Sequence, residues 1–190
     1  MAFLSRKQLE ELGLKSFGEN VLISDKAQIY NPSAIRIGSH VRIDDFAILS
    51  AGKGGIYLGS YIHIGSSCGL MGAEEIRMDD FSGLSSRVFI YSSTDDYSGE
   101  TLTNPMVPQI YRNVFSAKVH LAKHVIIGTC ATIMPGVSVG IGSAIGAYSL
   151  VDKNIPESVI AIGQPCKVLK PRKVDLLDLE RKLREENQSN

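Results

Sequence analysis

Tryptophan is absent from the 190 residues, and aromatic residues make up only 7% of them. A core built on bulky rings is thereby excluded; whatever the chain buries must be narrow and aliphatic. Surplus charge of either sign is also lacking, with Lys+Arg at 20 and Asp+Glu at 20. Binding to a phosphate backbone draws on surplus positive charge, so a general nucleic-acid role is excluded. No apolar run approaches the ~20 residues of a membrane helix, and no membrane partner is expected. The first residues, MAFLSRKQLEELG, contain no apolar signal core, so a cytoplasmic location is expected. Cys68, Cys130 and Cys166 are an odd set without a CxxC, which fits a reducing compartment and not a disulfide scaffold. Glycine, by contrast, is plentiful at 18. A chain rich in glycine and poor in aromatics, without low complexity, points to short repeats.

The repeat has a period of six. Each unit reads as an aliphatic residue, a Gly or other small or acidic residue, two free positions, a small or β-branched residue, and one more free position. Ile37 to Arg42, Ile43 to Ile48, Leu58 to His63, Ile64 to Gly69, Met78 to Gly83 and Leu84 to Phe89 fit it. Leu121 to Leu150 holds five further units in unbroken succession. This period belongs neither to a helix nor to a plain alternating strand. It suits short strands that turn a corner every six residues, with the aliphatic side chain inward and the fifth residue filling the corner. Three units close a triangular coil of about eighteen residues, and coils stack at roughly 4.8 Å. The expected fold is an all-β solenoid, the left-handed parallel β-helix that hexapeptide-repeat proteins resemble, with about five coils. Cys68 sits in a fifth slot and reads as a small core residue. Cys130 sits at a free position and reads as surface.

Three segments break the period. Ser5 and Gln8 form a capping box before Leu9, Leu12 and Gly13, which predicts a short N-terminal helix. Asp175 to about Glu186 spaces Leu176, Leu179 and Leu183 helically, with Glu180, Arg181, Lys182 and Arg184 outward. That C-terminal helix is expected to cap the open end of the prism, and Asn187 to Asn190 to be frayed. Between Ile90 and Leu121 the period is lost for about one and a half coils, and a long structureless excursion in a regular solenoid is usually functional. The expected organisation is thus an N-terminal helical cap over 1–20, the β-helix over 21–165 with its loop at 92–118, and a basic segment with a helix over 166–190.

The run Val125 to Lys170, VIIGTCATIMPGVSVGIGSAIGAYSLVDKNIPESVIAIGQPCKVLK, resembles the acetyl-CoA-dependent hexapeptide acyltransferases of the galactoside and xenobiotic type. The loop SSTDDYSGETLTNPMVP and the KHVIIG run look like the subgroup that N-acylates nucleotide-linked amino sugars for lipopolysaccharide, the dTDP-4-amino-4,6-dideoxyglucose acyltransferases. The resemblance implies a homotrimer with sites in the clefts between prisms, acetyl-CoA as co-substrate and direct transfer to a sugar amine. It places backbone groups at Gly128-Thr129 and Gly146-Ala147 along the pantetheine. Lys153, Lys167 and Lys170 would meet the cofactor's charged groups, with Arg172 and Lys173 close behind. No metal is expected.

Where the family usually carries its histidine base, five residues after the aliphatic residue opening the loop, this chain has Asp95, and the loop contains no histidine. Asp95 or Asp96 could take the proton directly. Alternatively His124, at the corner after the loop, is the base and an aspartate orients it; its ordinary pKa of ~6.5 suits proton removal near neutrality. Asp44-Asp45 and Asp79-Asp80 are similar pairs at corners, and His40, His63 and His120 occupy exposed repeat positions. Three other readings stay open: an O-acetyltransferase, a zinc-dependent carbonic-anhydrase-like trimer and a non-catalytic hexapeptide scaffold.

Overall fold

The structure is a computed structural model that describes residues 2–188. It is a left-handed β-helix with three sheet faces and two α-helices. Face 1 stacks Ser16–Phe17, Ile35–Ile37, Ile56–Leu58, Ile76–Met78, Val119–Leu121 and Ser138–Val139. Face 2 stacks Val21–Ile23, Val41–Ile43, Ile62–Ile64, Gly83–Leu84, Ile126–Ile127, Ala144–Ile145 and Val159–Ile162, and ends on the antiparallel strand Lys167–Pro171. Face 3 stacks Gln28–Tyr30, Ile48–Ala51, Gly69–Gly72, Phe89–Tyr91, Thr132–Ile133 and Leu150–Val151. That makes six full coils and part of a seventh, more than the repeat count implied.

The predicted inward residues form the core. Leu58, Ile64 and Leu70 are buried in one coil, and Leu121, Ile127 and Ile133 in another. Each such side chain contributes about 1.5–3 kcal/mol by leaving water. Cys68 is buried as expected, and burial pushes its thiol up to about 11. Cys130 is only half-buried. Inward serines at corner slots satisfy themselves on nearby carbonyls: Ser82 Oγ donates to the Asp79 carbonyl at 2.6 Å, and Ser149 Oγ to that of Gly146 at 2.7 Å. At Gly38 a Cβ would stand 2.5 Å from the Gly59 carbonyl oxygen, so the coils could not stack as closely with any other residue there.

Coil length is not uniform. Ile37 pairs with Leu58, 21 residues on, whereas Leu121 pairs with Val139 after 18. The extra residues sit at the third corner, between faces 3 and 1, where 31–34, 52–55 and 73–75 bridge successive coils. Residues 92–118 occupy the same corner. The excursion therefore replaces no coil: Ile76–Met78 pairs directly with Val119–Leu121 across it. Nor is it structureless. Ser93–Thr94 and Phe115–Ser116 form an antiparallel stem, and Gln109–Tyr111 makes a 3-10 turn.

The first corner, between faces 1 and 2, carries a stack of rings. His40, Tyr61, Phe81 and His124 lie one above the next, with centroids 4.7, 4.7 and 5.0 Å apart. Each adopts φ near +60°, a left-handed conformation that costs a residue with Cβ about 1–2 kcal/mol. Ring stacking of about 0.5–1.5 kcal/mol per pair offsets part of that cost.

Helix α1, Arg6–Glu11, forms behind the Ser5/Gln8 capping box and buries Leu9 against the first coil. Helix α2, Asp175–Gln188, corrects two expectations. Its backbone continues through Asn187 and Gln188; Ser189 and Asn190 lie outside the described residues. Nor does it cap the open end, which is occupied by the hairpin of Val159–Ile162 and Lys167–Pro171. It lies along the first corner, where Leu176, Leu179 and Leu183 face Phe81 and His124. Glu180, expected outward, is 10% exposed and accepts from Lys123 Nζ at 2.7 Å, His124 Nε2 at 2.6 Å and Arg184 Nε at 2.7 Å. Arg184 also reaches Asp80 at 3.2 Å. The helix docks here on an apolar ring surface flanked by cations for its carboxylate.

Burial opposes the Glu180 charge, but the hydrogen bonds from Lys123, His124 and Arg184 prevail and hold its carboxyl at about 2, below its ordinary 4.5. A depressed carboxylate contributes stability that is complete above about 4.5 and lost as pH falls through about 2. Glu180→Gln should weaken α2 docking by about 2 kcal/mol at neutral pH, read as faster amide exchange across α2. The gap between parent and variant should narrow below pH 4.5 and close near pH 2. A gap independent of pH would refute the latch.

Candidate functional site

The second corner, between faces 2 and 3, gathers most of the expected cofactor residues. Gly128 and Thr129 turn it in one coil, and Gly146 and Ala147 turn it in the next, joined by Gly128 N–H donating to the Ile145 carbonyl at 2.8 Å. A Cβ on Gly128 would stand 2.5 Å from Ala147 N, so this glycine is required by stacking alone. The N–H groups of Thr129 and Ala147 donate to no acceptor among the described residues. At the end of this edge Lys167 pairs with Ile162, and a register shift between Ile160 and Ala161 brings Lys170 opposite Ile160. That bulge puts both lysines on the outward side, although they are three residues apart. Two expected cations are absent from the group. Lys153 follows face 3 and sits at the third corner. Arg172 donates through Nη1 to the carbonyls of His124, Gly142 and Ser143, at 3.0, 3.0 and 3.2 Å, and clips the chain to the first corner.

Followed the other way, the edge reaches residues that sequence reasoning missed. Thr129 Oγ1 donates to the Ser86 carbonyl at 2.7 Å, which places Ser85 and Ser86 beneath Gly128 and Thr129. Ser86 Oγ accepts from Ser66 Oγ at 3.2 Å, whereas the Ser85 hydroxyl has no partner among the described residues. The repeat does not single out Ser85: Gly fills the second slot at 38, 59, 65, 128, 140 and 146, but Asp44, Asp79, Ala122 and Met134 depart from it as Ser85 does.

At the third corner the loop base shapes a pocket of about 380 Å³ lined by Tyr91, Ser93, Thr94, Asp95, Tyr97 and Met134. The structure separates the two loop aspartates. Asp96 accepts from Ser98 N–H at 2.8 Å and Thr101 Oγ1 at 2.9 Å, and the bonds to Ser98 and Thr101 hold its carboxyl below the usual range. The Asp95 carboxylate has no hydrogen-bond partner among the described residues and faces the pocket.

The expected pairing of His124 with Asp95 or Asp96 is not formed. His124 is at the first corner, its side chain 9% exposed and bonded to Glu180. The other histidines are not bare surface residues either. His40 meets Asn20 at 3.1 Å, His63 meets Asp44 at 2.8 Å and His120 meets Asp79 at 2.7 Å. No group of three His, Cys, Asp or Glu side chains converges as metal ligands among the described residues.

No family model matches the chain. It is similar to the dTDP-4-amino-4,6-dideoxy-D-glucose acyltransferase of Escherichia coli, with 46% identity over 180 residues, covering 95% of this chain and 94% of that one. It is also similar to AntD, an N-acyltransferase from Bacillus cereus solved with dTDP-4-amino-4,6-dideoxyglucose and coenzyme A. That match has 44% identity and a TM-score of 0.94 over 97% of this chain and 98% of AntD. AntD has further been solved with dTDP and 3-hydroxybutyryl-CoA, and as variants at one serine and at an aspartate ten positions later. A more distant relative is WbbJ of Escherichia coli K12, described as a candidate lipopolysaccharide biosynthesis O-acetyl transferase. It is 27% identical over 75% of this chain and 74% of its own length.

Proposed function

We propose that this chain, which belongs to the hexapeptide-repeat acyltransferase family that includes the dTDP-4-amino-4,6-dideoxyglucose acyltransferases, moves an acyl group from acyl-CoA to the amino group of a nucleotide-linked amino sugar. The observation that carries this reading is the division of polar groups between two corners. One edge offers lysines, unpaired N–H groups and a free serine hydroxyl in line. The other offers a free carboxylate beside tyrosine rings. The similarity to WbbJ supports a lipopolysaccharide sugar as the acceptor.

In this reading acyl-CoA lies along the second corner. Lys167 and Lys170 meet its phosphates as cations on the terminal strand. The Thr129 and Ala147 N–H groups meet amide carbonyls of the arm. Four strand steps, about 19 Å, separate Lys167 from Ser85, where the thioester would rest. The amine nitrogen attacks the thioester carbonyl carbon, the carbon–sulfur bond breaks and the CoA thiolate leaves. Asp95 accepts the amine proton, which ends on the thiolate. The Ser85 hydroxyl donates to the oxygen that gains charge. The serine and aspartate varied in AntD are ten positions apart, as are Ser85 and Asp95; Ser86 and Asp96 share that spacing but are already bonded.

Ser85 and Asp95 lie near opposite ends of face 3 in one chain, separated by roughly 15–20 Å along the strand direction. A complete site therefore needs Ser85 from one copy and Asp95 from another, which supports the homotrimer. Tyr97, Met106 and Ile110 on the loop are 91%, 90% and 83% exposed, an apolar surface that wants such a neighbour.

Light scattering should give about three times 20.6 kDa; an active monomer would contradict the split site. Asp95→Asn should lower kcat by about 10²–10⁴-fold with acyl-CoA binding retained. His124→Asn should loosen α2 while costing far less in kcat; a loss equal to that of Asp95→Asn would return the base to His124. Lys167→Glu with Lys170→Glu should weaken acyl-CoA binding by about tenfold or more, measured calorimetrically, and unchanged affinity would remove the phosphate assignment.

A further inference from the structure

The outward column of face 2 runs Leu22, Arg42, His63, Gly83, Ile126, Ala144, Ile160 and Lys170, each the register partner of the next. In this column only Gly83 lacks a side chain, and Ala144 carries just a methyl group. The missing side chain at Gly83 leaves a notch of about 350 Å³ between His63 and Ile126, whose rim at the second corner is Ser85 and Ser86. Its floor is Gly65, Gly83 and Leu84. Stacking does not require glycine at 83: an added Cβ would meet only the His63 carbonyl oxygen, at 3.5 Å, an ordinary contact. This distinguishes it from Gly65, where a Cβ would stand 2.8 Å from Ser86 N. The notch is thus open space that packing does not demand.

Its chemistry selects an occupant. The notch holds no lysine, arginine or acid, so it suits neither a diphosphate nor an amine. The loop pocket, with Asp95, Tyr91 and Tyr97, suits the amino sugar better. The notch walls are aliphatic on the Ile126 side and polar on the His63 side. His63 is held in place by Asp44, whose other oxygen accepts from Arg42 Nε at 2.7 Å. Burial opposes the Asp44 charge, but the bonds from His63 and Arg42 keep its carboxyl below the usual range. The Asp44 carboxylate engages Nε2 of His63, which leaves Nδ1 available to hydrogen-bond a hydroxyl.

We propose that the Gly83 notch is the acyl pocket of the enzyme, taking a short acyl chain longer than acetyl, with its hydrocarbon on Ile126 and a chain hydroxyl toward His63. The proposal rests on the acyl-CoA reading above, since the notch begins where Ser85 would hold the thioester. Gly83 then determines acyl-chain length.

The test compares acetyl-CoA with 3-hydroxybutyryl-CoA as donors to a dTDP-linked 4-amino sugar, for the unaltered protein, Gly83→Val and Ile126→Ala. Circular dichroism and melting confirm folding; both positions tolerate change, since Gly83 has room for a Cβ and Ile126 is 46% exposed. Gly83→Val should lower kcat/KM for the four-carbon donor by about tenfold or more relative to acetyl-CoA, the scale on which a filled pocket discriminates. Should Gly83→Val fold poorly, Ile126→Ala carries the same test, and should shift preference toward longer acyl chains such as hexanoyl-CoA. If neither variant changes the ratio between donors, the pocket is overturned while the activity stands. If the unaltered protein transfers no acyl group at all, the activity reading fails and the pocket falls with it.

Discussion

Every feature of this molecule depends on one constraint: each coil must lie directly on the last, about 4.8 Å away, with its strands in register on three faces. At that spacing a strand has no room for an inward side chain that differs much from its neighbours, so the interior becomes columns of Ile, Leu, Val and Met. The same spacing makes Gly38 and Gly128 obligatory, because a Cβ at either would run into the backbone above it at 2.5 Å. It also removes any deep pocket from the prism itself. What remains for function is the surface: the outward columns of the faces, the three corners, and whatever is attached to them.

The three corners have diverged under that constraint. The first is filled by stacked rings and clamped by α2 through Glu180, Lys123 and His124. The second leaves the N–H groups of Thr129 and Ala147 uncovered, while Phe46 and Tyr148 project from it as exposed rings that no helix covers. Outward residues on the adjoining face tune what that edge can accept, as the absence of a side chain at Gly83 illustrates.

How much of this could be read from the sequence follows from the range of the interactions involved. The period-six pattern identified the inward columns and the fifth-slot role of Cys68, and the Ser5–Gln8 spacing identified the capping box, since each is set by neighbours within a few residues. The edge from Gly128 to Lys167 was also legible, carried by a resemblance and not by spacing. The placement of α2 was not. Leu176, Leu179 and Leu183 say that one side of a helix is buried, but nothing local says against which corner, and Glu180 looked like a solvated residue until His124 and Lys123 stood beside it. Arg172 misled for the same reason: its three carbonyl partners come from 29 to 48 residues away. Asp95 and Asp96 were equivalent in the sequence because the turn that engages Asp96 through Ser98 and Thr101 exists only once the loop folds. The histidine at 124 drew attention for its titration range, yet its surroundings are those of a helix clamp.

The position of the excursion follows from the same division of corners. An insertion at the first corner would interrupt the ring stack and displace α2; one at the second would cover the edge proposed to face acyl-CoA. The third corner already bears extra residues at 31–34, 52–55 and 73–75, so the coils there tolerate slack without losing register. When 92–118 lengthens that slack, Val119–Leu121 still pairs with Ile76–Met78 as though nothing had intervened. The loop therefore adds a carboxylate and an apolar arm at no cost to stacking, but on the far edge of face 3 from the serine they would serve. A rigid prism cannot bring its own two edges together. In the proposed function, the geometry that makes the coil stable thus also makes a second copy part of the site.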